Sequence, residues 1–175
     1  MRKLKNSELE RISVENFKSS NKTPIVVVLD NVRSALNVGS AFRTSDAFRI
    51  EKVYLCGITS APPNKEIRKS ALGSTKSVEW EKIDKTDDAI LQLKKQGYTI
   101  CSVEQVENST LLHHFSLTGK PIAVVFGNEV NGVQQSVIDN SDYCIEIPQI
   151  GTKHSLNISV SIGVVLWDLY NKITG

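Results

Sequence analysis

The stretch Pro121-Ile122-Ala123-Val124-Val125-Phe126-Gly127-Asn128-Glu129-Val130-Asn131-Gly132 decides the fold. Its first half is an unbroken apolar run of strong β formers. A strand with one wet face alternates polar and apolar residues, whereas a run with no polar position is covered on both sides, as in a parallel sheet between helices. Gly127 ends the run and a polar turn follows it.

The same pattern recurs in both directions along the chain. Ile25–Leu29 is a second continuous run, bounded by Pro24 and Asp30. Lys52–Cys56 before Gly57, Tyr98–Val103 and Tyr143–Ile147 before Pro148 read as further strands, and Ser77–Trp80 as a short one. Between them, helices are predicted over Asn37–Phe48, Asn64–Leu72, Asp87–Gln96 closed by Gly97, residues 133–140, and Ser155–Ile173. Asn108–Lys120 reads as irregular. Strand and helix in alternation predict an α/β fold, a mostly parallel sheet flanked by helices. Trp167 and Tyr170, three apart on the last helix, are expected in the core or in a dimer contact.

Length and composition agree with one domain. The chain has 175 residues, 40% hydrophobic and 23% charged, with a net charge of +2. That balance excludes a disordered chain, a collagen-like repeat and a disulfide scaffold. The longest apolar runs are far below the roughly 20 residues of a membrane span, and Met1-Arg2-Lys3-Leu4-Lys5 is not followed by a signal-peptide core. Three widely spaced cysteines, Cys56, Cys101 and Cys144, fit reduced thiols in a cytoplasmic protein and show no metal-ligand spacing. Residues 1–22 form a basic N-terminal extension, expected to be helical because Ser7-x-x-Glu10 reads as a capping box before Leu9, Ile12 and Phe17. Residues 23–175 form the domain. A second basic patch holds Lys65, Arg68, Lys69 and Lys76. Either patch is a solvated surface or a phosphate contact.

In open α/β sheets, ligands bind beyond the carboxyl ends of strands. Three polar, glycine-containing segments follow predicted strands. In Asn31–Thr44, Asn37 and Arg43 are six apart, about 600° on a helix, so they do not share a face. Asn37 at the helix start with Arg43 nearly two turns in suits an anion such as RNA phosphate. Alternatively, Asn37 caps the helix and Arg43 pairs with an acid. Phe126–Gly132 is either a ligand turn with Gly127 allowing close approach, or a plain polar turn. In Ile147–Asn157, Ser155 is a candidate helix cap, and Asn157 in the first turn faces ligand or backbone. No dinucleotide or phosphate-loop glycine pattern, zinc site or nucleophile elbow is present.

Together the three segments resemble the motifs of the SpoU/TrmH family of the SPOUT superfamily, RNA ribose 2′-O-methyltransferases. The residues that carry the resemblance are Asn37-Val38-Gly39-Ser40-Ala41-Phe42-Arg43-Thr44, Phe126–Gly132, and Ile147–Asn157 followed by Ile158-Ser159-Val160; Lys69–Ser74 is a further matching segment. Departures are small: Gln149 stands where Met is commoner, and Ser34-Ala35-Leu36 replaces a Pro-containing approach to Asn37.

The resemblance implies S-adenosyl-L-methionine as methyl donor, no metal, a deep C-terminal trefoil knot, and a homodimer whose sites are completed across the interface, with Ile162, Val165 and Trp167 of the last helix in that interface. It assigns donor binding to Gly127, Ile147 and Leu156, with Asn128 and Pro148 adjacent. Arg43 activates the ribose hydroxyl or stabilises the developing alkoxide. Asn37, Glu129, Ser155 and Asn157 orient Arg43, ribose or donor. RNA contacts fall to Arg33, Arg43, Arg68 and Lys69, and the small size favours tRNA slightly over rRNA. The alternative is a non-catalytic RNA-binding module or ribosome-assembly factor on the same fold.

Overall fold

The computed structural model describes residues 1–175. Seven strands form one sheet: β1 (Thr23–Asp30), β2 (Ile50–Cys56), β3 (Glu79–Ile83), β4 (Thr99–Val103), β5 (Thr110–Leu111), β6 (Ile122–Phe126) and β7 (Tyr143–Glu146). Their order is β3-β2-β1-β6-β4-β7-β5, and every pair is parallel. The helices are α1 (Val14–Ser19), α2 (Ala35–Ala47), α3 (Lys65–Ala71), α4 (Thr86–Lys95), α5 (Gln135–Asp139) and α6 (Ile158–Thr174).

The unbroken apolar runs are explained by two cores. Side chains alternate across a strand. Ile25, Val27 and Leu29 of β1, with Ile122, Val124 and Phe126 of β6, face the layer containing α1, α2, α3 and α6. Val26 and Val28, with Ala123 and Val125, face α4 and α5. Both faces of the central strands are dry, so a polar side chain there, such as Asp30 at the end of β1, is kept only with hydrogen-bond partners. The edge strands differ: β5 is two residues long and β3 is polar and partly exposed, which limits pairing with other chains.

The helix starts depart from expectation in three places. Ser34, not Asn37, caps α2: its hydroxyl accepts from the Asn37 amide at 3.3 Å, and Asn37 lies inside the first turn. Asn157, not Ser155, caps α6, accepting from the Ser159 amide at 2.9 Å. In the N-terminal extension, helix is confined to a single turn at Asn6–Glu8 and to α1, capped by Ser13 instead of Ser7. Only Phe17 of that segment is buried; Leu4, Ile12 and Val14 are exposed. A longer helix there has no apolar face to bury, and short helices need one. The segment 108–120, read as irregular, contributes β5 and a turn of 3₁₀ helix at Leu112–His114.

On α6, Ile162 and Val165 are buried in the chain's own core, which corrects their assignment to an interface. Val160, Val164 and Trp167 are the exposed apolar residues of that helix. Trp167 is 55% exposed and stacks on Tyr170 beside Phe48, so it is not a core residue. No helix is long and apolar enough to cross a membrane.

Gly39 lets α2 and α3 cross closely. A Cβ there would lie 2.1 Å from Ser70 Oγ and 2.4 Å from the Ile67 carbonyl, and Ser70 Oγ donates to the Leu36 carbonyl at 2.9 Å. The Ile67 carbonyl is backbone and cannot rotate away. Gly39→Ala is expected to cost about 1–3 kcal/mol of stability through overpacking, read as a lower urea midpoint at unchanged slope.

Candidate active site

Strand ends, loops and one carboxylate build the site. Beyond the carboxyl ends of β4, β6 and β7 lies a cleft of about 570 Å³, within the roughly 300–1,000 Å³ range of small-molecule sites. The ends of these strands and the loops that follow them wall it, with lining residues drawn from 103–105, 126–132 and 145–158 and from the first turn of α6. The strand order reverses beside the cleft: the chain builds outward from β1 to β3 and then crosses to β4, with β6 inserted between β1 and β4, and such a switch leaves a crevice.

The loop after β6 is locked from within. Asn128 and Gly132 exchange backbone hydrogen bonds, each at 2.9 Å. Asn128 Oδ1 accepts from the Val130 and Asn131 amides, and its Nδ2 donates to the Asn31 carbonyl at 2.7 Å. Gly127 is required by this closure, since a Cβ would lie 2.1 Å from both the Gly132 carbonyl carbon and the Val133 nitrogen. Gly132 adopts φ +68°, which favours glycine.

The turn carries Glu129 to the start of α2. Its carboxylate accepts from the Arg33 amide at 2.9 Å, the Ser34 amide at 3.0 Å and Asn37 Nδ2 at 3.1 Å. The anion position expected for RNA phosphate at this helix end is therefore filled by the chain's own carboxylate, which suits the helix dipole equally well. Partial burial pushes the Glu129 pKa up, but the hydrogen bonds from Arg33, Ser34 and Asn37 outweigh it, and the net value lies below the ordinary one. A carboxylate with a depressed folded pKa adds stability above its unfolded value, about 4.3, and loses it as the pH falls through the folded value. Wild type is thus expected to lose more stability than Glu129→Gln on acidification below about pH 4, measured as urea midpoints across pH.

The structure gathers Gly127, Asn128, Glu129, Ile147, Ser155, Leu156 and Asn157 at the cleft. Asn37 joins through Glu129, and Arg33 through its amide. Pro148 is exposed and outside the lining. Arg43 is also outside it, exposed on α2, and takes no part in the chain's ion pairs. Arg68 and Lys69 are exposed on α3, away from the cleft.

The polar inventory decides what each amide can still do. Asn157 Oδ1 is engaged by the Ser159 amide and hydroxyl, leaving its NH₂ as a donor. Asn37 is the reverse: its NH₂ holds Glu129 and its oxygen remains an acceptor.

Three contributors escaped sequence reasoning. Glu104 accepts from the Val133 amide at 2.9 Å and lines the cleft. Gln105 Nε2 donates to the His154 carbonyl at 2.9 Å, tying the loops after β4 and β7 together. Asp30, fully buried, accepts from Thr86 Oγ1, Asn31 Nδ2 and the Gln134 amide, anchoring the far end of the β6 turn. The only sequence signal was position: Asp30 ends one strand and Glu104 directly follows another. No group of residues suited to a metal ion is present.

Comparison with known proteins fits this geometry. The SpoU rRNA Methylase family profile matches residues 24–167, a span containing all three motif segments. A 23S rRNA (guanosine-2′-O-)-methyltransferase RlmB of Vibrio parahaemolyticus is 28% identical across 92% of this chain, which spans 64% of that relative's length. The A. aeolicus TrmH/SpoU tRNA modifying enzyme superposes with a TM-score of 0.79 at 29% identity, covering 91% of this chain and 79% of that one. An AdoMet-bound rRNA methyltransferase from Sinorhizobium meliloti shares the fold, with a TM-score of 0.82 at 24% identity over 89% of this chain and 59% of that one. With its three motif segments drawn together at one end of a parallel sheet, the chain belongs to the SpoU rRNA methylase family.

Proposed function

We propose that the chain transfers a methyl group from S-adenosyl-L-methionine to a ribose 2′-hydroxyl of RNA, with tRNA favoured slightly over rRNA, acting as a homodimer whose C-terminal region is a deep trefoil knot. The observation that carries the reading is the Glu129 bridge, which joins a cleft of nucleoside size to the helix bearing Asn37 and Arg43. The insertion of β6 between β1 and β4, with β7 beyond β4, supports the knot. Exposed Val160, Val164 and Trp167 on α6 support a second copy as partner.

The residues present fit the donor. Val103, Phe126, Ile147 and Leu156 offer apolar walls for a base, and Ser155, Asn157 and the acidic side chains offer partners for hydroxyl and ammonium groups. When bound, the donor supplies an electrophilic methyl on a sulfonium, which needs no metal to leave. The chain must then place a ribose oxygen in line and take its proton. Glu129 is held ionised by three donors and orients Asn37, whose free amide oxygen is an acceptor for a ribose hydroxyl. Arg43 has no partner carboxylate and is available to an RNA phosphate or a developing alkoxide. Arg33, Arg68 and Lys69 are exposed cations available to the RNA backbone.

The test is methyl transfer from labelled donor to separated, unmodified tRNA and rRNA pools, with digestion to locate the label. Label on a ribose 2′-oxygen supports the reading and names the RNA class. Label confined to bases, or RNA binding with no donor binding, refutes it.

A further inference from the structure

The chain carries slightly more basic than acidic residues, 21 against 19, yet the cleft is charged with one sign. Its twenty lining residues include Glu104, Glu129 and Glu146 and no lysine or arginine. The carboxylates are not equally committed. Glu129 is turned to the start of α2 by its three donors. Glu146 is bonded by Ser109 Oγ at 2.6 Å.

Glu104 differs because the cleft wall is shaped around it. Its Oε2 accepts from the Val133 amide at 2.9 Å, and its Oε1 from the Gln105 amide at 3.0 Å. A Cβ on Gly132 would lie 2.1 Å from the same Oε2. The turn after β6 thus leaves out a side chain where the carboxylate stands. A neutral glutamine in that position fills the same volume but has one acceptor oxygen where the carboxylate has two, so it keeps one of the two backbone contacts and turns its NH₂ toward the other amide. The negative charge is a separate property, and it acts on whatever enters the cleft.

We propose that Glu104 is a specificity-determining residue that makes the cleft prefer a cationic sulfonium ligand over the uncharged thioether left after methyl transfer. The proposal rests on the reading of the cleft as the donor site. A bound cation gains Coulomb energy in a partly desolvated cleft that a neutral ligand of the same shape does not. The same field repels phosphate, so the RNA backbone is kept at the rim and product exchange is favoured.

Binding of S-adenosylmethionine and S-adenosylhomocysteine is measured calorimetrically, without RNA, for wild type and Glu104→Gln. The variant is expected to weaken the sulfonium ligand about tenfold, equivalent to about 1.4 kcal/mol, and the thioether less than about twofold. A structural role, or a contact to the ammonium group that both ligands carry, would weaken both alike, and that result overturns the proposal while leaving the donor site standing. If wild type binds neither ligand, the reading of the cleft falls and the proposal with it. A second measurement does not depend on the variant folding. Raising salt with wild type is expected to weaken the sulfonium ligand and leave the thioether unchanged; a constant ratio overturns the proposal.

Discussion

Arg43→Ala is expected to lower methyl transfer by about 10²- to 10³-fold, the loss typical of removing one group that stabilises developing charge. Donor affinity is expected to stay within about twofold of wild type. The argument is positional. Arg43 is on α2, outside the cleft lining, so its loss removes no wall of the donor site. Its side chain is exposed and unpaired, so its removal leaves no buried carboxylate behind and costs little stability. Single-turnover rates and calorimetric donor binding, run side by side, check both halves. Ordinary turnover in the variant would remove Arg43 from the chemistry. Lost donor binding would place it in the cleft instead.

Gly127→Ala is expected to be the most damaging conservative change. The added Cβ would meet two backbone atoms of residues 132 and 133 at 2.1 Å, and no rotamer change relieves backbone. The closure between Asn128 and Gly132 must open, and with it the placement of Glu129 on α2. A loss of about 3 kcal/mol, the upper end of ordinary overpacking, is expected, together with loss of donor binding in the fraction that remains folded. Chemical denaturation and calorimetry at low temperature separate the two effects. An alanine variant with native stability and donor affinity would show that the turn closes in another way.

The central sheet was legible because its chemistry is local. Ile25–Leu29 and Ile122–Phe126 are apolar at every position, short, rich in β-branched residues and flanked by Pro24 and Gly127, which together mark a strand covered on both faces. The motif loops were legible for a similar reason, since each follows a strand directly. Helix starts were not. Ser34 and Asn37 both suit a cap, as do Ser155 and Asn157, and composition does not choose between them. Docking decides: α6 begins where Ile158 can bury, one residue after Asn157. The partner of Glu129 was hidden for a deeper reason. It lies more than ninety residues away in sequence, and no periodicity reports that α2's first turn will meet the turn after β6.

The insertion of β6 between β1 and β4 also sets a timetable for synthesis. β1, β2 and β3 leave the ribosome in the order in which they pair, so that half of the sheet can assemble as it emerges. β4 follows, yet neither of its neighbours, β6 and β7, exists at that moment. The 18 residues 104–121 separate it from β6, a delay on the order of one to a few seconds at ordinary elongation rates. During that interval a strand that the finished sheet buries waits with both edges open, and β1 keeps a vacant edge beside it. Pairing the two prematurely would close the gap that β6 must enter. Nascent-chain yield should therefore depend on what happens around residue 103, where slower elongation prolongs the exposure and faster elongation shortens it.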